Sequence, residues 1–481
     1  MVLYILLGLL SLFVLLMIIA LINTLIIKDK DKGEEPLKVD LGYSDLLAKR
    51  FSKMIQIKTL SYKKELNNIE SFDKLHEVMN SLFPKTFEKL DKIEFEGGSL
   101  LLKWKGKNKE RPMVLMAHQD VVPASKEGWN DEPFSGKITD SEVYGRGTLD
   151  TKSTLFSFFQ AVEELIEEGF IPEQDIYLSS STDEEISGFG AKMAVDYLKK
   201  NKIKPYIVLD EGGAIVTRAL PTVKKPMALI GVLEKGYVDV KFTAISRGGH
   251  SSTPPKNSPI ARLSKFITEV ENHFPLKTKM IDEVRDLFIL ASPYMGFGYR
   301  FLFGNMWLFK PLITWLLPKI NSYGRALLST TIAFTMSKGS DASNVIPSEA
   351  YVICNMRTHP IQNIEESVGV LAEIAKKYDI SYEILENREA SPISKTDNLA
   401  FKYVKEEIKK AYPDVSITPY IMLGGTDSRF YSEITESVYR FSPVRMDQSE
   451  LNKIHGKNES IKKTALAEAV YFYKEFIKNH K

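Results

Sequence analysis

A chain of 481 residues is too long for one ordinary hydrophobic core, so two domains, or one large α/β domain carrying an insertion, are expected. Its 64 basic and 62 acidic residues leave a net charge of +2, which removes any electrostatic reason to propose a nucleic-acid partner. The single cysteine, Cys354 in the apolar run AYVICNMR, excludes a disulfide framework and a thiolate zinc site, so any metal must be held by nitrogen and oxygen.

Residues 1–27, MVLYILLGLLSLFVLLMIIALINTLII, carry no charged side chain. At about 1.5 Å per residue such a helix reaches roughly 40 Å, enough to cross a hydrocarbon core of about 30 Å with tilt. A cleaved signal peptide would show a basic start, an apolar run of about 7 to 15 residues and a small-residue cleavage site. None of these is present, so the segment reads as a single-pass membrane anchor in preference to a signal peptide or a buried core helix. Lysines 28, 30 and 32 follow the span and none precedes it, which by the positive-inside rule favours a cytoplasmic position for the rest of the chain. Residues 28–40, KDKDKGEEPLKVD, are charged and form a solvated linker.

Beyond the linker, LLAKRFSKMIQI has helical spacing; the strands SLLLKWKG and MVLMAH, a helix over 155–168, the strand IYLSSST, a helix over 191–200 and the strand YIVLD follow. Strands alternating with helices predict a mostly parallel sheet flanked by helices, with ligands gathering at the carboxyl ends of the strands. From Gly236 the order becomes β-α-β-β-α-β, a ferredoxin-like α+β unit. Residues 234–391 are therefore an inserted lid domain, and 41–233 with 392–481 form a discontinuous first domain. One stretch, 285–320, is densely apolar and aromatic but is broken by Arg300, Asn305, Lys310 and Pro311. It is expected to pack as extra lid core, with a bilayer-touching surface, a groove for an apolar substrate tail and a second span as the alternatives.

Five polar clusters fall at predicted strand ends or loops. In MVLMAHQDVVPA, His118 and Asp120 are two positions apart and share a face, so the aspartate can hold the imidazole in one tautomer. Asp150, in GRGTLDTKS, precedes a helix and taken alone reads as its N-cap. Glu184 and Glu185 in STDEEISGFG point in different directions on extended backbone, so that one can hold a metal while the other stays free as a base. Asp210 ends YIVLD, followed by Glu211, and His455 stands in the polar loop KIHGKNES. Two histidines, a shared aspartate and two further carboxylates satisfy two cations with positions left open.

Together MAHQDVVPA, GRGTLDTKS, STDEEISGFGA, LDEGG, RGGHSSTPP and IHGKNES resemble the aminoacylase, carboxypeptidase S and carboxypeptidase G family of two-zinc metallopeptidases, over nearly everything from about residue 40 to 478. The resemblance implies a zinc-peptidase α/β fold with the lid domain inserted. His118, Asp150 and Asp210 would bind one Zn2+, and Asp150, Glu185 and His455 the other, with Co2+ or Mn2+ as substitutes. Glu184 would be the general base for a metal-bridging hydroxide, Asp120 would orient His118, and His250 of the lid would stabilise the oxyanion. Asn344 and Arg357 would grip a substrate carboxylate, and Gly424 or Gly425 would offer backbone contacts.

The activity so implied is amide hydrolysis of a small N-acyl amino acid or peptide, releasing a free amino acid, on a membrane-anchored chain of open oligomeric state. Within the family the resemblance points to membrane-anchored carboxypeptidase-S-like N-acyl-amino-acid hydrolases. A catalytically silent, membrane-tethered peptide-binding module of the same fold is the other reading; loss of Glu184 or Asp150 would be its mark.

Overall fold

The computed structural model describes residues 1–27, 34–62 and 69–481. Lysines 28, 30 and 32, and with them the orientation argument and the first part of the linker, lie outside the described residues.

The main sheet runs, in spatial order, Asp91–Glu94, Leu100–Trp104, Gln174–Ser180, Asn108–Met116, Ile207–Asp210, Val438–Arg440, Met227–Glu234, Ile215–Val216 and Arg445–Met446. Ser416–Met422 also pairs with Met227–Glu234. Its centre is parallel: Asn108–Met116 pairs in that sense with both neighbours, and Ile207–Asp210 with Val438–Arg440. Leu100–Trp104 and Asp91–Glu94 join antiparallel, so the sheet as a whole is mixed. Side chains alternate across it as the strand period demands. Leu100, Met113, Leu115, Ile176 and Leu209 face the core shared with helices Lys152–Glu167 and Lys463–Lys478, while Leu101, Val114, Tyr177 and Val208 face helix Gly190–Lys200. Covered on both faces, the central strands carry unbroken apolar runs at 113–116, 176–178 and 207–209.

The lid sheet is antiparallel, in the order Thr331–Lys338, Glu349–Arg357, Tyr237–Ile245 and Ser381–Arg388. Helices Pro259–Asn272 and Ile364–Lys376 cover one face and close a separate core around Val240, Phe242, Phe266, Val352 and Leu371.

Residues 282–328 depart from expectation. They form helices Asp282–Ala291, Phe297–Phe303, Met306–Ile320 and Ser322–Leu328, and their buried Val284, Leu287, Phe288, Phe303 and Ile313 belong to the core of the main sheet, not to that of the lid. The reason lies in the sheet edge. Ser416–Met422 has a single strand partner among the described residues, and helix Asp282–Ala291 packs along it, covering an edge that would otherwise be open.

Helix Val2–Ile26 carries no charged side chain, and only Ala20 and Thr24 are buried. Its carboxyl end, Ile26 and Ile27, borders a cleft of 1340 Å³ walled by Leu290, Phe401 and Ile417 and reaching Arg111 and Tyr206. Arg111 lies early in Asn108–Met116, and Tyr206 just precedes Ile207–Asp210. The apolar helix thus meets the domain near the amino ends of the parallel strands.

Candidate metal centre

The cluster forms at the opposite, carboxyl ends of those strands. His118 follows Asn108–Met116 and is fully enclosed. Its Nδ1 faces the Asp120 carbonyl at 3.0 Å and the Asp120 carboxylate at 3.3 Å, which turns Nε2 towards Asp150 Oδ1, 2.9 Å away. Asp120 also accepts from the backbone N–H groups of Glu184 (3.3 Å) and Glu185 (3.1 Å), so one buried carboxylate positions both the imidazole and the acidic turn.

Asp150 does not cap the helix that follows it. Helix Lys152–Glu167 starts from Thr151 with no side-chain cap, and the Asp150 oxygens divide between two histidines: Oδ1 to His118, and Oδ2 to His455 Nε2 at 3.0 Å. His455 Nε2 lies also 3.1 Å from Glu185 Oε2. The Asp150 loop is moulded around buried Glu459, which accepts from the N–H groups of Gly147, Leu149 and Asp150 and pairs with Arg146 at 2.6 Å. Glu459 belongs to the same segment as His455, four residues on, so one short stretch supplies a ring nitrogen and shapes the loop that meets it.

Electrostatically the centre is a pool of buried acid. Burial raises the Glu184, Glu185 and Glu211 carboxyls, and neighbouring carboxylates raise each of them further. Hydrogen bonds to the Asp150 and Glu185 carboxylates raise His455 to about 10. Burial works against protonation of His118, yet its contacts with Asp120 and Asp150 outweigh that and raise it. Glu185 Oε1 is buried with no hydrogen-bond partner. Excess buried negative charge, imidazole nitrogens turned inwards and an orphaned carboxylate oxygen are what divalent cations of nitrogen and oxygen preference would satisfy. Ligand atoms of His118, Asp150 and Glu185 lie within 4.8 Å of one another, close enough to share one ion.

Asp210 is held by backbone donors. Its Oδ1 accepts from the Glu211 N–H and its Oδ2 from the Ser428 N–H, both at 2.9 Å, and its side chain is turned to the face that carries Val208. Glu211 takes the inward position, in electrostatic contact with Asp150, His118 and Glu184. Adjacent residues at a strand end tend to point to opposite sides, which fits Glu211 facing the cluster.

The loop after Ser416–Met422 is tied down by buried Glu234, which accepts from Thr426 N (2.9 Å) and Thr426 Oγ1 (2.9 Å) and pairs with Arg440 Nε at 2.7 Å. A Cβ on Gly425 would collide with the Arg388 guanidinium, so only glycine permits that approach. Arg388, which no sequence motif marks, ends the last lid strand near Glu184, Glu234, Arg357 and Arg429, and burial lowers it. Among the described residues no hydrogen bond or ion pair engages its guanidinium. Arg357 lies over the Tyr237 ring, 4.8 Å from its centroid. His250 and Asn344 meet on a short lid ribbon, where Ser251 N donates to the Asn344 carbonyl at 3.0 Å. Both are exposed, and among the described residues neither has a hydrogen bond to the cluster.

Comparison with known proteins gives the family. Residues 114–479 match the model of peptidase family M20/M25/M40. The chain is 33% identical over 484 residues to the probable carboxypeptidase S-like 2 of Dictyostelium discoideum, covering 98% of this chain and 93% of that one. It is 34% identical over 430 residues to the N-fatty-acyl-amino acid synthase/hydrolase PM20D1 of Xenopus tropicalis, covering 88% and 84%. Among solved structures, an M20 family metallo-carboxypeptidase from Sulfolobus solfataricus superposes with a TM-score of 0.65 at 19% identity, over 92% of this chain and 99% of that one. The dinuclear metal-binding YXEP peptidase of Bacillus subtilis superposes with a TM-score of 0.57 at 14% identity, over 91% and 98%. The chain belongs to the M20/M25/M40 family and is a hydrolase of the metallopeptidase class.

Proposed function

We propose that this protein is a two-metal amidohydrolase, using zinc, that releases an amino acid from an N-acyl amino acid or a small peptide and is held at a membrane by helix Val2–Ile26. The observation that carries the reading is the division of the Asp150 oxygens between His118 and His455, beside a Glu184 carboxylate that no hydrogen bond engages among the described residues. His118, Asp150, Glu185, Glu211 and His455 would hold the metals. The chemistry a divalent pair supplies there when bound is Lewis-acid polarisation of the scissile carbonyl and acidification of water.

Glu184 takes the proton from the attacking water and returns it to the leaving amine, and Asp120 keeps its backbone and the His118 ring in register for that transfer. Arg388 and Arg357, cations without carboxylate partners among the described residues, grip the free carboxylate of the amino-acid half. His250 and Asn344 reach the oxyanion and the substrate carboxylate by closure of the lid. An apolar acyl group fits a 270 Å³ pocket that begins at Gly212, next to Glu211, and is walled by Ala214, Val216, Leu229, Tyr420 and Tyr323. Tyr323 comes from the inserted helices, so the insertion shapes the acyl end of the site. The substrate class in the name of the PM20D1 relative points the same way.

The test is turnover by the detergent-solubilised full chain on a panel of N-acyl amino acids and dipeptides, with chelated protein and Glu184→Gln as controls. Glu184→Gln should retain its metal while hydrolysis falls by about 10² to 10⁴, the span typical of a general base. Hydrolysis that survives chelation would overturn the metal reading. Metal binding with no turnover on any substrate would leave a silent binding module.

A further inference from the structure

We propose that the outer face of helices Phe297–Phe303 and Met306–Ile320 lies in the headgroup region of the leaflet from which helix Val2–Ile26 emerges, seating the domain on the bilayer. The proposal rests on the membrane-anchor reading above and adds a second, independent membrane contact.

Helix Met306–Ile320 is apolar on both sides. Met306 and Ile313 are buried against the domain, while Trp307, Leu312, Leu316 and Ile320 face outwards with Trp315, which is 60% exposed. A helix of a water-bathed surface carries a mostly polar outer face, whereas here the exposed side chains are mostly apolar, with Lys319 exposed and Lys310 part-exposed and 3.7 Å from Asp282. Lys319 sits where an interface would put it: its Nζ lies 3.8 Å from the centroid of the Trp315 ring, the tryptophan-with-lysine arrangement of a membrane boundary.

What covers this face is indicated by the anchor. Asn305, fully buried, opens the second helix, and its Nδ2 lies 3.0 Å from the Ala20 carbonyl and 3.0 Å from the Thr24 hydroxyl. Its Oδ1 accepts from Asn23 Nδ2 (2.9 Å) and Trp307 Nε1 (3.2 Å). These bonds fix the inserted helices to the last two turns of the apolar helix. The helix has 25 residues, hence a length of ~37 Å. Ala20 lies about 9 Å below its carboxyl end by the same rise. A platform clamped at that level is at the depth of about 5 to 10 Å to which interfacial helices insert.

The experiment uses the full chain in phosphatidylcholine nanodiscs with and without lipid brominated near the headgroup, reading tryptophan emission. Four tryptophans are present, so bromolipid should quench about half of the emission, the share of Trp307 and Trp315. Quenching should vanish in Trp307→Phe/Trp315→Phe and persist in Trp104→Phe/Trp129→Phe, with N-acyl amino acid hydrolysis as the check that both variants are folded. Flotation of the full chain with liposomes after alkaline extraction tests the anchor separately. A chain that floats but whose Trp307 and Trp315 emission ignores bromolipid overturns the platform and leaves the anchor standing, whether water, a second copy or another protein covers the face. A chain that does not float overturns both.

Discussion

The Asp150 carboxylate reaches His455 Nε2 at 3.0 Å through Oδ2 while its Oδ1 is taken up by His118, so a single side chain joins two imidazoles from opposite ends of the chain. If that division marks a bridging ligand, Asp150→Asn should cost more metal affinity than the roughly 10 to 100-fold loss typical of an outer-shell partner. Metal per chain, measured by plasma mass spectrometry after dialysis, should fall below one while the fold persists by circular dichroism. Two metals retained would show that the aspartate does not bridge.

Glu211 and Asp210 should separate cleanly. Glu211→Gln should lower metal content and hydrolysis. Asp210→Ala should keep the metals but strand the Glu211 and Ser428 N–H groups, at a cost of about 1 to 3 kcal/mol in denaturant unfolding. The reverse pattern would return Asp210 to the ligand set.

Arg388 offers a guanidinium near Glu184 and Glu234 that no hydrogen bond or ion pair engages among the described residues. A charge-assisted bond is worth about 1.5 to 3 kcal/mol, so Arg388→Lys should reduce kcat/KM on an N-acyl amino acid by roughly 10 to 100-fold, mainly through KM. The same substrate with its carboxylate amidated should hardly distinguish variant from wild type. Equal losses on both would mean that Arg388 only supports the lid.

Buried His359 should make the fold acid-labile. Burial and nearby Lys235 lower it to about 4, while Nε2 faces the Leu327 carbonyl at 3.2 Å. The folded state thus refuses a proton that the unfolded chain accepts from about pH 6.5 downwards, so this contribution is intact above pH 6.5 and is lost as pH falls towards 4. At about 1.4 kcal/mol per unit the loss is about 3 kcal/mol. Thermal midpoints in detergent between pH 4 and 7.5 should fall less steeply for His359→Gln than for wild type, and parallel curves would contradict the assignment.

Part of the centre was legible because several of its acids and one histidine close apolar strands, and such a residue is informative without coordinates. MVLMAH, IYLSSST and YIVLD located His118, Glu184 and the Asp210–Glu211 pair in that way, and the long uncharged run at 1–27 is a helix. The β-α-β-β-α-β order of the lid likewise followed from periodicity, since strand and helix periods differ.

Tertiary structure decided which member of a pair faces inwards. Nothing local distinguishes Asp210 from Glu211; the choice was made when Ser428 supplied an N–H on one side of the strand end. Arg388 became visible only once the last lid strand was laid beside Gly425. The apolar stretch 285–320 was conspicuous by composition, yet composition carries no direction. Its attachment to Ser416–Met422 and to Ala20 and Thr24 depended on an open sheet edge and a buried Asn305, because hydrophobic burial is non-directional and edge pairing and hydrogen bonds are not.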